Sequence, residues 1–273
     1  MYGFGYRYSP KGIYVPSGGG GAFDPDAQAF ITAAAITDPI EQSAVNQLVV
    51  DMKDAAIWTK MKAVYPFVGG SATSHKWNLV NPVDSDAAFR LVFNGGWTHS
   101  ATGALPNGTN GYADTFFNTD DVTSTGLQSF GVYLRNAPTF SVSTIEYPTG
   151  LRGGIYHIRV DSTASTSTNF RSGTRSETKI GNTGFIAQSR SSTTEWYSIN
   201  NSTLTTLTNL ASTLSVETTY TFALGAYKNL STLQYFSTQE LAFSFYGEPL
   251  ITTEMSDFNT AIATFQTTLS RNV

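Results

Sequence analysis

From residue 67 to residue 252 the chain is a succession of short stretches in which apolar and polar residues alternate, separated by turn residues. Phe89, Leu91 and Phe93 alternate with Arg90 and Val92, Phe130, Val132 and Leu134 mark a second face, and Phe140 with Val142 a third. Tyr156, Ile158 and Val160 alternate with His157 and Arg159; Tyr220, Phe222 and Leu224 follow, then Leu241, Phe243 and Phe245. Residues two apart point to the same face of a strand, so each stretch has one face to bury. Many such strands at short intervals predict two sheets packed face to face. The stretch 162–178 reads as a Ser/Thr-rich loop between them. Composition agrees: 28 Ser and 38 Thr make the surface polar while charged residues are only 13%. Thr and aromatics suit a pleated surface, and the Lys and Glu that build long exposed helices are scarce.

The flanks differ. Residues 23–66 read as a helical hairpin, because Asp24-Pro25 and Asp38-Pro39 each set a cap residue before a first-turn proline. Glu41 stands three after Asp38, as in a capping box, and Val45, Leu48, Val49, Met52 and Ala56 keep helical spacing. Tyr65-Pro66 marks the exit, and Trp58 and Met61 are expected in the core. At the other end, 253–273, Met255, Phe258, Ile262, Phe265 and Leu269 form one apolar stripe of a helix that packs on the domain. Residues 1–22 have no strand partner of their own. Tyr2, Phe4, Tyr6 and Tyr8 alternate with small or polar residues and Gly18–Gly21 forms a tether, so the segment is expected to be an extended arm that anchors in another subunit.

Several chemistries are excluded. With no cysteine, thiol catalysis, disulfides and Cys-based zinc sites are impossible. A net charge of −4 without any basic cluster argues against nucleic acid, and no apolar run is long enough to span a membrane. The opening decapeptide lacks the apolar core of a secretory leader, so a chain made in, or released from, a cytoplasm is expected. Ser176-Glu-Thr-Lys179 matches S-x-x-K without its companion motifs, in a stretch that does not read as helix, and G-x-S-x-G is absent. His75, His99 and His157 are too scattered in sequence for a zinc motif, and His157 reads as a polar residue on an outward strand face beside Arg159.

The stretch Gly184-Phe-Ile-Ala-Gln-Ser-Arg190 followed by Trp196-Tyr197-Ser-Ile-Asn200-Asn201 resembles the paired strands of laminin-G-like, concanavalin A-type domains. Phe222-Ala-Leu-Gly225, Tyr235-Phe-Ser237 and Leu241–Leu250 are similar to the closing strands of that family. Thr253–Phe258 with Phe265–Leu269 and Arg271 is similar to the terminal helix of such domains in tailed-phage structural proteins, and Asn107–Thr115 has the same character. Asn201 stands where the family's Asn-Gly turn has glycine, a change that asparagine tolerates. The resemblance implies a mainly β, concanavalin A-like two-sheet jelly roll over 67–252. It also implies a virion protein, of fibre or decoration type, located on the particle and assembled as a homo-oligomer, with a trimer as the family-level expectation.

Sugar-cleaving relatives of this fold carry Glu-x-Asp-x-x-Glu on one strand; none of the eight glutamates here begins that pattern, so no enzyme activity is expected. A sugar-binding role would use ring faces beside amides. Trp97, His99, Asn107, Asn110 and Tyr112 cluster in a Gly-rich segment and are the candidate glycan contacts. Trp196 and Tyr197, being adjacent, must point to opposite faces. No cofactor is expected. Calcium is the alternative left open by Asn118, Asp120 and Asp121 and by Asp84 with Asp86, although neither group supplies six to eight oxygens. The partners expected are other virion proteins through the arm and host-surface glycans through the sandwich. A free carbohydrate-binding module is the runner-up and a glycosidase the third reading.

Overall fold

The computed structural model describes residues 22–122, 127–139, 145–151, 156–161, 166–170, 182–200, 203–208 and 219–273. Its helices are α1 (Pro25–Ala33), α2 (Pro39–Asp54), the single turn α3 (Ala72–His75) and α4 (Thr252–Thr268). The strands are β1 (Met61–Tyr65), β2 (Val92–Asn94), β3 (Trp97–Ser100), β4 (Gly103–Pro106), β5 (Tyr112–Asp114) and β6 (Ser129–Leu134). Then come β7 (Ile145–Leu151), β8 (Tyr156–Asp161), β9 (Thr166–Phe170), β10 (Gly184–Arg190) and β11 (Glu195–Asn200). The last five are β12 (Thr203–Thr208), β13 (Ala223–Leu224), β14 (Tyr227–Asn229), β15 (Thr232–Gln234) and β16 (Leu241–Gly247).

The protein is mainly β, with two sheets in a jelly-roll sandwich. Sheet A runs β12-β11-β10-β6-β16-β4-β3, with β1 also on β16; sheet B runs β15-β14-β7-β13-β5-β2, with β8 and β9 continuing from β7. Two cores follow. One lies between the sheets and holds Phe130, Val132, Leu134, Trp196 and Tyr246 from sheet A against Leu151, Tyr156, Ile158 and Leu224 from sheet B. The other lies on the far side of sheet A, where Tyr133, Phe185, Ile199, Phe243 and Phe245 meet Leu48 and Met52 of α2 and Phe258, Ile262 and Phe265 of α4. Sheet A is therefore buried on both faces, and every residue of β6, β10 and β16 is buried.

Local chemistry explains how the helical layer is held. The Asp38 carboxylate accepts the amides of Ile40 and Glu41 at the start of α2, but Glu41 does not close the capping box; its carboxylate accepts the Gly69 amide instead. Phe245 lies across Gly131, where an added Cβ would come within 2.6 Å of its ring. Arg271 is fully buried without a carboxylate. Its guanidinium donates to the carbonyls of Pro66, Phe67 and Ala242 and to Gln266 Oε1, tying the end of the chain to the exit of β1. Burial pushes it down to about 9, so it stays a cation at neutral pH.

Some local expectations are corrected. Met61–Tyr65 is a strand paired antiparallel with β16, not part of the helical segment. Phe89 sits in the left-handed region at φ 57 after a short 3-10 turn, so only Val92–Asn94 of that stretch is strand. Leu241 faces the inter-sheet core while Phe243 and Phe245 face the helices, because a register shift between 241 and 243 reverses the alternation. The presumed loop 162–178 contains β9. Trp196 and Tyr197 point to opposite faces and both are buried, one in each core. Phe140 and Val142, Ser176–Lys179 and the anchor residues Tyr2, Phe4, Tyr6 and Tyr8 lie outside the described residues. No described helix is long and apolar enough to cross a membrane.

Candidate functional site

The five residues nominated as glycan contacts come together where the β2–β3 turn meets the β4–β5 loop. Gly95, at φ 69, and Gly96 make this possible: a Cβ on the first would stand 2.0 Å from the Asn110 carbonyl, and on the second 2.2 Å from Asn107 Nδ2. Asn107 Oδ1 accepts the amides of Thr109, Asn110 and Gly111, each at 3.0 Å. Its Nδ2 donates to Asn110 Oδ1 at 2.8 Å, and that oxygen also accepts the Gly96 amide. Both amide oxygens are thus engaged in building the loop, while the two side chains stay exposed.

Trp97 is similarly engaged. Its indole N–H is shared between the carbonyls of Asn94 and Tyr112, 3.1 Å each. One face of the ring stacks on His99 at 6.1 Å, and Phe93 meets both rings edge-on. His99 Nδ1 lies 2.9 Å from Nδ1 of the buried His75. Burial, then the neighbouring His99 and Arg271, push His75 down to about 3; burial also lowers His99. Both rings are neutral at physiological pH, and one must donate to the other. Tyr112 is half-buried beside Asp114, and desolvation followed by that carboxylate raises its phenol. At this end of the sandwich Asn107 and Asn110 are exposed, while the rings of Phe93, Trp97, His99 and Tyr112 are half-buried.

Across Gly225 lies a second aromatic group that the sequence reading missed. Gly225, at φ 76, leaves room for the Trp97 ring, 3.0 Å from where its Cβ would be. Its amide donates to the Pro148 carbonyl and its own carbonyl accepts from Ser237. Beyond it Tyr147 packs 4.6 Å from Tyr227 and 5.4 Å from Tyr235, with the His157 ring edge-on at 5.0 Å. Strand register places Val92, Asp114, Ala223, Gly150 and His157 in one row on the outer side of sheet B, but His157 is not a surface residue there: it is buried against Tyr147 and Tyr227. Nearby, Lys228 Nζ bonds Asp114 at 2.9 Å and Thr221 at 3.0 Å. The four rings come from two stretches far apart in the chain, 147–157 and 227–235, and Pro148 interrupts the pattern around Tyr147. An unusual density of tyrosine in stretches poor in charge was the one available signal.

The oxygen-rich groups have structural uses. Asn118 Oδ1 accepts the amides of Asp120 and Asp121 while Asp121 accepts the Asn118 amide, a reciprocal cap on a 3-10 turn. Burial raises the Asp121 carboxyl. Asp84 bonds Lys76 and Arg90, and Asp86 bonds Arg90. Among the described residues no group of three or more His, Cys, Asp or Glu could hold a metal ion.

No family model and no curated protein matches the chain. Solved structures do. The receptor-binding domain of a botulinum neurotoxin of C/D mosaic serotype superposes with a TM-score of 0.51 and 8% identity, over 75% of this chain and 52% of that one. A mutant Trypanosoma rangeli sialidase displaying trans-sialidase activity gives 0.50 and 10%, over 82% of this chain and 39% of the sialidase. The chain therefore spans only part of either protein, and at such identities the likeness establishes the β-sandwich fold alone.

Proposed function

We propose that this chain is a non-enzymatic bacteriophage virion protein whose sandwich binds saccharide on a host surface. The observation that carries the saccharide part is the aromatic belt from Phe93, Trp97 and His99 across Gly225 to Tyr147, Tyr227 and Tyr235. Aromatic faces next to phenol and hydroxyl groups suit sugars, whose rings pair an apolar C–H face with hydroxyls. The fold is also one that a neurotoxin uses as a receptor-binding domain and that occurs in a sialidase. The non-enzymatic part is supported by how the described glutamates are used. Glu146 accepts from Thr238, Glu240 from Arg135 and Thr102, and Glu248 and Glu254 pair with Lys62 and Lys60. A general acid and a nucleophile need carboxylates facing a substrate. Placement on the particle rests on the phage-like closing motifs and on the tyrosine-rich N-terminal sequence.

Glycan-array screening of the full chain tests the first part, with binding to a defined subset of saccharides expected. Mass spectrometry of density-purified particles tests the second, with the chain expected at many copies, scaled to the major capsid protein. Binding without particle association would favour the free carbohydrate-binding module. Hydrolysis of a bound glycan would overturn the non-enzymatic reading.

A further inference from the structure

We propose that Tyr235, backed by Tyr147 and Tyr227, is the stacking platform for a neutral pyranose, a proposal that rests on the saccharide reading above. Among the described residues Tyr235 is the one aromatic with a large exposed surface, 40%; the other large exposed apolar side chains are aliphatic. Its exposure is built in. The backbone is left-handed at φ 53, a conformation glycine or asparagine adopts far more readily, yet a tyrosine stands there. Its carbonyl accepts the Tyr147 amide at 3.1 Å, which fixes the residue to β7. Tyr147 at 5.4 Å and Tyr227 at 6.4 Å occupy the inner side of the ring, so the outward side is left for a ligand.

The surroundings set the ligand class. Tyr235 offers the stacking surface and a hydroxyl, the buried Tyr147 and Tyr227 brace it, and Lys228 and Asp114 nearby pair with each other at 2.9 Å. A platform of this kind discriminates by ring contact and hydroxyl bonding, not by net charge. It complements an uncharged sugar with one apolar C–H face, whereas a sialate, uronate or sulfate would have to compete with Asp114 for Lys228.

The test is titration of the full chain, wild type, Tyr235→Ala and Tyr235→Trp, against the best neutral saccharide from the array, at two salt concentrations. Tyr235→Ala should weaken binding about tenfold with an unchanged melting temperature, and Tyr235→Trp should retain it, since ring stacking is the interaction removed or kept. Affinity should change less than about twofold with salt, because no ion pair forms. Undiminished binding by Tyr235→Ala overturns the platform while leaving the saccharide reading in place. Preference for anionic glycans with steep salt dependence overturns the ligand class. If the wild type binds no glycan at all, the saccharide reading itself falls and the platform with it.

Discussion

Sheet A and sheet B use the same strand chemistry to opposite ends. Sheet A is covered on both faces, by sheet B inside and by α2 and α4 outside, and its central strands are buried throughout. Among the described residues sheet B carries neither long helix, and its outer side holds the tyrosine group and the Lys228–Asp114 pair. A sheet buried on both faces contributes stability and little else, whereas a sheet with one such face has surface to offer a partner. The difference separates scaffold from site, and substitution should reveal it.

The largest effect is expected in the helical layer. Phe245→Ala removes a ring that packs 4.8 Å from Phe258 and lies over Gly131. It should lower unfolding free energy by about 3–5 kcal/mol in urea titration. A loss near that of a surface change would break the comparison.

Acid should come next. The folded His75 titrates far below its ordinary 6.5, so the neutral ring is the native form. Stability is whole above about pH 6.5 and declines as pH falls toward 3, by up to about 1.4 kcal/mol per unit. Melting temperatures from pH 8 to 4 should show this fall, and His75→Gln should flatten it. Asn107→Ala takes the acceptor from three loop amides, largely open to water, and should cost about 1–1.5 kcal/mol, read as a lowered melting temperature. Asn118→Ala should cost about 1 kcal/mol as a lost cap. Smallest of all, Tyr235→Ala should change stability by about 0.5 kcal/mol or less in the same melts. A large loss there would make Tyr235 part of the scaffold and sharpen the boundary elsewhere.

The sandwich was legible where a regular strand reports its own inner face: Phe130, Val132 and Leu134 face the inter-sheet core, as do Tyr156 and Ile158. What escaped depended on distant partners. Met61–Tyr65 becomes a strand only through β16, far along the chain, and a bulge that no local spacing announces turns Leu241 away from Phe243. The site was half legible for the same reason. Trp97, Asn107 and Tyr112 are close in sequence and meet in space, and Asn107 and Asn110 are absorbed by backbone amides that sequence does not locate. Tyr147, Tyr227 and Tyr235 are brought together by strand order. Pro148 hides the first of them, tolerated because it falls at the register shift in β7.

The pairing of β1 with β16 also bears on synthesis. Until residues 241–247 leave the ribosome, β1 has no partner and the apolar stripe of α2 has neither Phe243 nor Phe245 to cover it. A nascent chain of two hundred and more residues must therefore wait with sticky surface showing, so translation stalls late in the message are where aggregation or chaperone capture should concentrate.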